Sequence, residues 1–448
     1  MKYFFETYGC QMNSAESAAL GLAARERGWE EAESAEDANL VLLNTCTVRA
    51  TAEQRVMGRL AHYESLKKKR RAGGAPSFTL VIAGCVAQRL GDSLKEKFPA
   101  IDYVMGTSAR SFFPLILEAA EQHREAIETG EKPDFAFSSS HLEEGQFRAF
   151  IPIMHGCNNF CSYCIVPYVR GREISRSPAS ILDEIRMVGE KGVKEITLLG
   201  QNVNSYNWVP GTILDFPGLL ELIAEYLEKE RSPIRWVRFL SSHPKDLSPR
   251  AIQVMAGHKV FCRHLHLCVQ HGSNSMLKAM NRRYTREHYL ELVSELRAAM
   301  PGLTLSTDLL IGFPGETEED LEETFSLMEE VKFLYAYTYH YNPREGTAAY
   351  DLQNRIPESV KRNRLARVIK LQQQHTAELL KGRLGAETEV LIEGISHKNA
   401  DELITRTERD EMAVVPGKAA WLGHFGHLVL SDLKGMTFRA KEITLTDR

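Results

Sequence analysis

Three cysteines stand close together near the middle of the chain, in the run HGCNNFCSYC. Cys157, Cys161 and Cys164 form a CxxxCxxC pattern. Three thiolates on one short loop can bind three irons of a 4Fe-4S cube and leave the fourth iron open to a small chelating ligand. A reduced cluster of this kind can pass an electron to S-adenosylmethionine and release a deoxyadenosyl radical. A zinc site or redox thiols are the alternatives, but zinc needs a fourth ligand, and His155 precedes the run on a strand.

Three further cysteines are spread over the first part of the chain, and each follows an apolar run. Cys10, Cys46 and Cys85 end the segments FFETYGC, LVLLNTC and TLVIAGC. If these runs are parallel strands, their carboxyl ends meet at one edge of a sheet, where α/β proteins bind ligands. The pattern predicts a second cluster with an open iron. For any single one of these cysteines, the alternative is a structural role at the end of a buried strand, because a thiol packs like a small hydrophobic group.

The hydrophobic pattern predicts the elements that position these cysteines. Apolar strands at 2–7, 40–44, 79–83 and 103–105 alternate with helices such as 14–27, which predicts a small parallel doubly wound sheet. A second alternating series predicts a partial or full β/α barrel with its catalytic groups at the carboxyl ends of the strands. Its strands are expected at 151–155, 195–199, 235–240, 264–270, 303–311 and 336–341.

The rest of the chain is predicted to be a linker, a basic helix and a β domain. The polar stretch 129–145 indicates the linker, and the helix is expected over 357–383. Short alternating strands within 388–443 predict a small β-barrel, a shape that often holds oligonucleotides. The predicted domains are therefore 1–130, 147–380 and 384–446.

Composition and charge limit the classes of function. A chain of 448 residues with 43% hydrophobic and 25% charged residues is long enough for two or three globular domains. We expect a cytoplasmic protein without a membrane anchor, because neither a signal peptide nor an apolar run of about 18 residues is visible. The net charge of −4 does not indicate nucleic-acid binding, so an RNA site would depend on the basic runs at 67–71 and 361–383. A solvated helix face is the alternative for each run.

Several motifs occur in a characteristic order: YGCQMNSAES, NTCTVRATAEQR, AGCVAQR, GCNNFCSYCIVPYVRGREISRSP, LLGQNVNSY, SSHPKDL, STDLLIGFPGETEED and NPREGTAA. Together they resemble the methylthiotransferase family of radical S-adenosylmethionine (SAM) enzymes over nearly the whole chain. The resemblance implies a flavodoxin-like N-terminal domain, a radical SAM β/α barrel of the partial TIM type, and a C-terminal small β-barrel of the RNA-binding TRAM type. Three of the motifs are most similar to the family's tRNA enzymes that modify isopentenyl-adenosine beside the anticodon.

The resemblance implies two 4Fe-4S clusters and SAM as cofactors. It assigns an auxiliary cluster to Cys10, Cys46 and Cys85, and the radical cluster to Cys157, Cys161 and Cys164. The positions expected to contact SAM or substrate are Tyr163, Gly200, Gln201, Ser242, Gln270, Asp308 and Gly312. For the polar residues among these positions, the alternative is that they support neighbouring residues or form turns. Arginines at 170, 172 and 176 are expected to bind phosphate or the cofactor carboxylate, since a guanidinium suits either anion.

Two places depart from the usual family pattern. HLCVQHGS has Cys268 and His271 where the family usually reads HLPVQSGS, and Glu345 in NPREGTAA replaces a usual proline. Cys268 is interpreted as an extra ligand, as a thiol at the radical site or as a packed strand thiol, and packing is favoured. Cys262 has no partner spacing and is expected to be structural.

The predicted reaction is methylthiolation of carbon 2 of isopentenyl-adenosine next to the anticodon, with SAM as methyl donor and radical source. The expected partners are a tRNA anticodon stem-loop and an electron donor such as flavodoxin or ferredoxin, and the protein is expected to be a monomer. One alternative is methylthiolation of threonylcarbamoyl-adenosine in tRNA or of a ribosomal protein. Another is a non-catalytic iron-sulfur RNA-binding protein, which would not need GQNVNSY and GFPGET at strand ends.

Overall fold

The computed structural model describes residues 1–47, 50–74, 76–91, 93–122, 137, 145–211 and 213–446. The chain forms two compact units. Unit 1 comprises Met1–Leu142, His155–Asn158 and Cys164–Ile174, and unit 2 comprises Glu143–Met154, Asn159–Tyr163 and Ser175–Arg448. The predicted linker at 129–145 lies outside the described residues, apart from Phe137 and Gly145. The division into three domains stays a prediction.

Unit 1 is built on a five-stranded parallel sheet. Its elements, in chain order, are β1 (Lys2–Thr7), α1 (Gln11–Glu26), β2 (Glu30–Glu31), β3 (Leu40–Thr45), α2 (Ala50–Ala72), β4 (Thr79–Gly84), α3 (Cys85–Leu90), α4 (Ser93–Lys97), β5 (Tyr103–Met105) and α5 (Phe113–Glu121). The strand order β2-β1-β3-β4-β5 is that of flavodoxin-like folds, which confirms the predicted fold. Helices cover both faces of the sheet: along β3, Val41 and Leu43 join the core that contains α2, whereas Leu40 and Leu42 join the core of α1 and α5.

The middle of the chain forms a partial β/α barrel. Its elements are β6 (Arg148–Pro152), β7 (Met154–His155), α6 (Val166–Val169), β8 (Ile174–Ser175), α7 (Pro178–Glu190), β9 (Glu195–Leu199), β10 (Asn207–Trp208), β11 (Leu214–Asp215), α8 (Phe216–Lys229), β12 (Trp236–Phe239), α9 (Pro249–Gly257), β13 (His264–His266), α10 (Asn274–Ala279), α11 (Arg286–Ala299), β14 (Thr304–Ile311), α12 (Glu318–Val331), β15 (Tyr335–His340) and α13 (Glu358–Lys381). In unit 2, parallel sheets β6-β9-β12 and β13-β14-β15 are joined by parallel bridges. The predicted strand β13 is shorter than expected, because regular pairing ends at His266 and only isolated bridges follow at Leu267 and Gln270.

Unit 2 ends in a seven-stranded, mainly antiparallel sheet of the order β20-β21-β18-β17-β16-β19-β22. Its strands are β16 (Glu387–Ser396), β17 (Asn399–Thr407), β18 (Met412–Pro416), β19 (Phe425–Val429), β20 (Asp432–Lys434), β21 (Thr437–Arg439) and β22 (Ile443–Leu445). This agrees with the predicted C-terminal β domain. Among the described helices of the whole chain, none combines the length and apolar character needed to cross a bilayer.

Candidate active site

Unit 1 brings the three N-terminal cysteines to one edge of its sheet. Cys10 lies just after β1, Cys46 directly after β3 and Cys85 directly after β4, and these strands are neighbours. Cys46 and Cys85 are buried, whereas Cys10 is exposed at the start of α1. A set of three thiolates suits an iron-sulfur cluster. Their common edge agrees with the strand pattern, and their role as ligands stays a prediction.

Two glycines allow the cysteine turns to approach one another. Gly9 has a φ of +135°, and a Cβ there would lie 2.4 Å from the Cβ of Cys46. Gly84 has a φ of +87°, and a Cβ there would lie 2.5 Å from the carbonyl oxygen of Thr45. Only glycine fits such positions, because other residues rarely adopt these angles and their side chains would collide.

Two buried asparagines, which the sequence analysis did not single out, connect the turns of Cys10 and Cys46. The Asn13 amide donates hydrogen bonds to Asn44 Oδ1 (3.1 Å) and to the carbonyl oxygen of Thr45 (3.0 Å). In return, the Asn44 amide donates to the carbonyl oxygen of Asn13 (2.9 Å). The pair fixes the spacing of the two turns. The only signal in the sequence was an asparagine close to each cysteine.

Arg170 occupies the buried interior beneath these cysteines instead of binding an external anion. It donates to Glu16 Oε1 (2.7 Å), as Arg110 does (2.6 Å). Burial would raise the pKa of Glu16, but the two guanidinium groups hold it below its usual range. Burial raises the pKa of the Cys85 thiol, and Arg170 opposes this shift. The positive charge of Arg170 therefore favours the thiolate that a cluster needs.

The expectation that Arg170 and Arg176 bind phosphate or the cofactor carboxylate is wrong. The guanidinium of Arg176 contacts the carboxylate of Glu184 and donates to Ser180 Oγ (2.9 Å) in the interior of unit 2. Both arginines are at least nine-tenths buried. The sequence alone indicates anion binding by these arginines, because their acidic partners, Glu16 and Glu184, lie on other elements. For Arg172 the expectation stays a prediction.

Part of the CxxxCxxC loop lies in unit 1, close to the N-terminal cysteines. The N–H of Cys157 donates to the carbonyl oxygen of Gly171 (3.2 Å). The residues that follow Cys164 belong to unit 1, where Ile165 and Val169 form a buried cluster with Cys85. Unit 1 therefore places Cys85 beside the chain segment that follows the CxxxCxxC motif.

Cys161 lies in unit 2 and accepts a hydrogen bond from a buried arginine. Arg282 donates through Nη1 to Cys161 Sγ (3.3 Å) and through Nη2 to the carbonyl oxygen of Cys268 (2.6 Å). The side chain of Asn281 donates to the carbonyl oxygen of Phe160 (2.9 Å). These two neighbours hold the loop at its centre. The sequence analysis missed both, since NRRY carries no recognisable ligand spacing.

Several predicted cofactor contacts lie at the carboxyl ends of barrel strands. Tyr163 packs in a cluster with Tyr339 and Phe313. Gly200 directly follows β9, and a Cβ there would lie 2.5 Å from Met154. The neighbouring Gln201 is half-buried. Gly200 and Gln201 therefore follow the carboxyl end of a barrel strand, as the sequence predicts.

Ser242 and Gln270 lie shortly after the carboxyl ends of β12 and β13. The hydroxyl of Ser242 is buried, and no hydrogen-bond partner for it is found within the described residues. Gln270 is mostly buried and has a φ of +71°, a conformation unusual for a residue other than glycine. A buried polar group without a partner and a strained backbone are both typical of ligand sites.

In the turn GFPGET, the N–H of the first glycine, Gly312, donates a hydrogen bond within the turn itself. The N–H of Gly312 donates to Glu316 Oε2 (2.7 Å), and Glu316 Oε1 accepts from Arg364 (2.8 Å). A capping box formed by Thr317 and Asp320 then starts α12. The N–H of Gly312 is therefore not available to adenine. The turn serves chiefly to join β14 to α12.

Asp308 does not lie at a strand end, which corrects the sequence-based expectation. It occupies the middle of β14, and its Oδ2 lies 3.6 Å from His266 Nε2. Cys268 Sγ lies 3.2 Å from the same nitrogen. Cys268 is thus part of a polar group, and whether it is a ligand or a packed strand thiol stays a prediction.

The other departures from the family pattern are accounted for locally. His271 is buried, with Nε2 3.2 Å from Glu316 Oε2. Glu345 is exposed. Cys262 is buried with Trp236 and Phe425, as expected for a structural cysteine.

The basic helix α13 uses much of its charge in contacts with α12. Arg364 and Arg367 donate to Glu318 (2.7 Å each). Lys361 is buried and donates to Glu358 (2.7 Å). In the other basic run, Lys67 is buried and paired with Asp102. These side chains stabilise the fold, so the expected RNA contact cannot depend on them.

Comparisons with known proteins agree with this geometry. Residues 151–328 match the family model of the Radical SAM superfamily, and residues 2–106 match Uncharacterized protein family UPF0004. Among solved structures, the radical S-adenosylmethionine methyltransferase TsrM from Kitasatospora setae is similar, with a TM-score of 0.58 and 17% identity over 78% of this chain and 75% of that one. At this identity the likeness concerns the fold alone.

Curated proteins are similar over nearly their whole length and are named tRNA-2-methylthio-N(6)-dimethylallyladenosine synthase. The protein from Treponema pallidum (strain Nichols) is 49% identical, with 98% of each chain covered. The one from Treponema denticola is 48% identical over 98% of this chain and 99% of its own. The one from Geobacter sulfurreducens is 41% identical over 96% and 95%.

Proposed function

This chain belongs to the family of tRNA-2-methylthio-N(6)-dimethylallyladenosine synthases, and on this premise we propose how its residues serve the reaction. The enzyme adds a methylthio group to carbon 2 of isopentenyl-adenosine (N6-dimethylallyl-adenosine) in tRNA, using 4Fe-4S clusters and SAM. The observation that carries the assignment of residues is the position of Cys10, Cys46 and Cys85 at the ends of three neighbouring strands.

The donor atoms fit two clusters. Cys10, Cys46 and Cys85 would hold the auxiliary cluster, and Cys157, Cys161 and Cys164 the radical cluster. Gly9 supports the first, since its lack of a side chain leaves room beside Cys46, and Arg282 supports the second by donating to Cys161. When bound, the clusters and SAM supply the radical and the methylthio group, chemistry that no protein side chain provides.

The protein's own part is to bind, orient and exclude water. We propose that SAM is held at the barrel end by Tyr163, Gly200, Gln201, Ser242 and Gln270. The buried hydroxyl of Ser242 supports this, because a polar group in the interior normally has a hydrogen-bond partner and a bound ligand would provide one. Gly312 would leave space for the cofactor but would not donate a hydrogen bond to it, because its N–H already donates to Glu316.

The RNA partner is a tRNA, and we propose that its anticodon stem-loop is the part bound. Loop bases can be turned out of their stack and placed in a pocket at a lower cost than paired bases in a helix. The C-terminal sheet is the proposed RNA-binding module. We further propose a flavodoxin or ferredoxin as electron donor, a monomeric enzyme and a cytoplasmic location.

The substrate is tested with two RNAs. Reconstituted enzyme, reductant and SAM are incubated with anticodon stem-loops that carry either isopentenyl-adenosine or threonylcarbamoyl-adenosine, and nucleosides are analysed by mass spectrometry. We expect the methylthio product from the isopentenyl RNA alone. Product from only the other RNA would overturn the substrate assignment and leave the cofactor assignment intact.

The cluster assignment is tested with two triple variants. Replacing Cys157, Cys161 and Cys164 with alanine should abolish SAM cleavage and leave about half of the iron, because one of two clusters remains. Replacing Cys10, Cys46 and Cys85 should also leave about half of the iron, but should retain SAM cleavage and stop methylthiolation. Retained methylthio product in the second variant would contradict the auxiliary role.

A further inference from the structure

A compact group of three different metal-binding side chains lies inside the barrel, apart from the six cysteines of the proposed clusters. His266, Cys268 and Asp308 each offer one ligand atom, and these atoms lie within 4.8 Å of one another. Cys268 Sγ is 3.2 Å and Asp308 Oδ2 is 3.6 Å from His266 Nε2. The cysteine is one of the two places where the sequence departs from the family motif. Of the three, only Asp308 is among the positions that the sequence predicts to contact SAM or substrate, and the residues proposed above to hold SAM do not include it.

The histidine ring is oriented by a neighbouring strand. His266 Nδ1 lies 3.0 Å from Ser306 Oγ, and the same hydroxyl lies 3.0 Å from His264 Nε2. In one consistent arrangement, His266 donates from Nδ1 to the Ser306 hydroxyl, and this hydroxyl donates to His264 Nε2. The Nε2 of His266 then carries a free lone pair, which faces Cys268 and Asp308. Support of this kind on the far ring nitrogen is typical of metal-binding histidines.

The two distances to His266 Nε2 are close to those of a tetrahedral metal site. With zinc bonds of about 2.05 Å to nitrogen, 2.3 Å to sulfur and 2.1 Å to oxygen, tetrahedral angles place nitrogen about 3.6 Å from sulfur and about 3.4 Å from oxygen. The measured separations of 3.2 and 3.6 Å differ from these by a few tenths of an ångström. One thiolate, one carboxylate and one neutral imidazole also carry a charge that a divalent ion balances.

We propose that His266, Cys268 and Asp308 bind one divalent zinc ion. Three protein ligands leave a fourth position for water or another small ligand, as in zinc sites that are not purely structural. The Asp308 side chain is 27% exposed, so solvent reaches this carboxylate. Arg282 connects the site to the radical motif, because it donates both to the Cys268 carbonyl and to Cys161 Sγ.

The test measures metal content in the anaerobically purified holoenzyme. Inductively coupled plasma mass spectrometry should find about one zinc per chain in addition to the cluster iron. The variants Cys268→Ala, His266→Ala and Asp308→Asn should lose this zinc and keep their iron. Cys262→Ala is the matched control, since it removes another thiol of the same unit that packs with Trp236 and Phe425, and it should keep both metals.

Zinc X-ray absorption separates this site from zinc misplaced in an empty cluster site. The proposed site gives one sulfur neighbour at about 2.3 Å with nitrogen and oxygen at about 2.0–2.2 Å, whereas a cluster site gives three sulfurs. The proposal is overturned if the wild-type enzyme neither contains zinc nor takes it up, or if Cys268→Ala retains the same zinc. Neither result depends on which RNA is methylthiolated, so failure here is distinct from failure of the proposed function.

Discussion

Buried arginines set the electrostatic environment of both cysteine groups. Arg170 lies beside Cys85 and is paired with Glu16, and Arg282 donates directly to Cys161. A positive charge near a thiol favours the thiolate, and a hydrogen bond to a ligand sulfur also stabilises the more negative, reduced state of a cluster. The cysteines are the proposed iron ligands, and these arginines adjust the charge state of the thiols.

Arg282→Met should lower the reduction potential of the radical cluster by an amount on the order of 50 mV, because one charged hydrogen bond to Cys161 Sγ is lost. The measurement is a redox titration followed by electron paramagnetic resonance, in the background that lacks the three N-terminal cysteines, so that one cluster is observed. SAM cleavage should slow in parallel. Arg283→Met is the control, since Arg283 is exposed and its side chain donates only weakly to Asn281 (3.4 Å). Equal potentials in the two variants would contradict this role of Arg282.

Glu16→Gln should lower the free energy of unfolding by about 3 kcal/mol at pH 7, because Arg110 and Arg170 would stay buried without their carboxylate. The folded-state pKa of Glu16 is held below its usual value. Its contribution is therefore present above about pH 4.3 and is lost as the pH falls through the folded pKa. Urea unfolding at pH 7 and pH 4 should show the difference from wild type shrinking at the lower pH. The exposed Glu30→Gln should differ from wild type by less than about 0.5 kcal/mol at both.

At the scale of elements, the turn after β1 is a close contact that tolerates no side chain. Gly9→Ala would put a methyl group 2.4 Å from the Cβ of Cys46, at a φ of +135°. We expect the variant to lose about half of its iron and its methylthiolation activity, but to retain SAM cleavage. Gly58→Ala is the matched control, since a Cβ on this α2 residue meets open space and should leave the iron unchanged. Full iron in Gly9→Ala would show that the turn can shift.

The elements of unit 1 could be predicted from sequence because their signal is local. Strands β1 and β5 were predicted with their observed bounds, and β3 and β4 to within one residue. Each is a short apolar run bounded by polar residues or glycine, and parallel order follows from the helices between them. Parallel strands share one edge, so the common position of the three cysteines was also predictable.

Contacts between distant elements could not be predicted in this way. Arg170 and Glu16 are 154 positions apart, and neither lies in a pattern that indicates the other. The charges of α13 looked like a free basic surface, because the pairing acid Glu318 lies on α12. The contact between His266 and Asp308 was not predictable for the same reason, since Asp308 comes from the next strand. Periodicity shows which face of an element is apolar but not which charged group faces it.

At the scale of the whole of unit 2, the C-terminal sheet is joined to the barrel by charged and aromatic contacts. Glu195 on β9 is completely buried and accepts from Arg148 (2.7 Å) and Arg238 (2.9 Å). Trp236 and Phe425 pack edge to face, with their ring centroids 5.0 Å apart. The proposed RNA-binding sheet is therefore held rigidly against the barrel, so RNA bound on one is positioned relative to the other.

Arg238→Met tests this coupling. Arg238 donates to the carbonyl oxygens of Thr407 (2.9 Å) and Glu408 (3.0 Å) on the sheet side, and its loss would leave these groups and Glu195 short of a donor. Breaking the buried pair of Arg238 and Glu195 costs about 3 kcal/mol. We therefore expect faster hydrogen exchange in β17 and β18. We also expect several-fold weaker binding of the anticodon stem-loop. SAM cleavage without RNA should persist, since the cysteines lie elsewhere. Arg250→Met, which breaks only exposed ion pairs on the same unit, should change neither property. If Arg238→Met also changes neither, the sheet is held by its apolar contacts alone, and the buried charges serve the barrel.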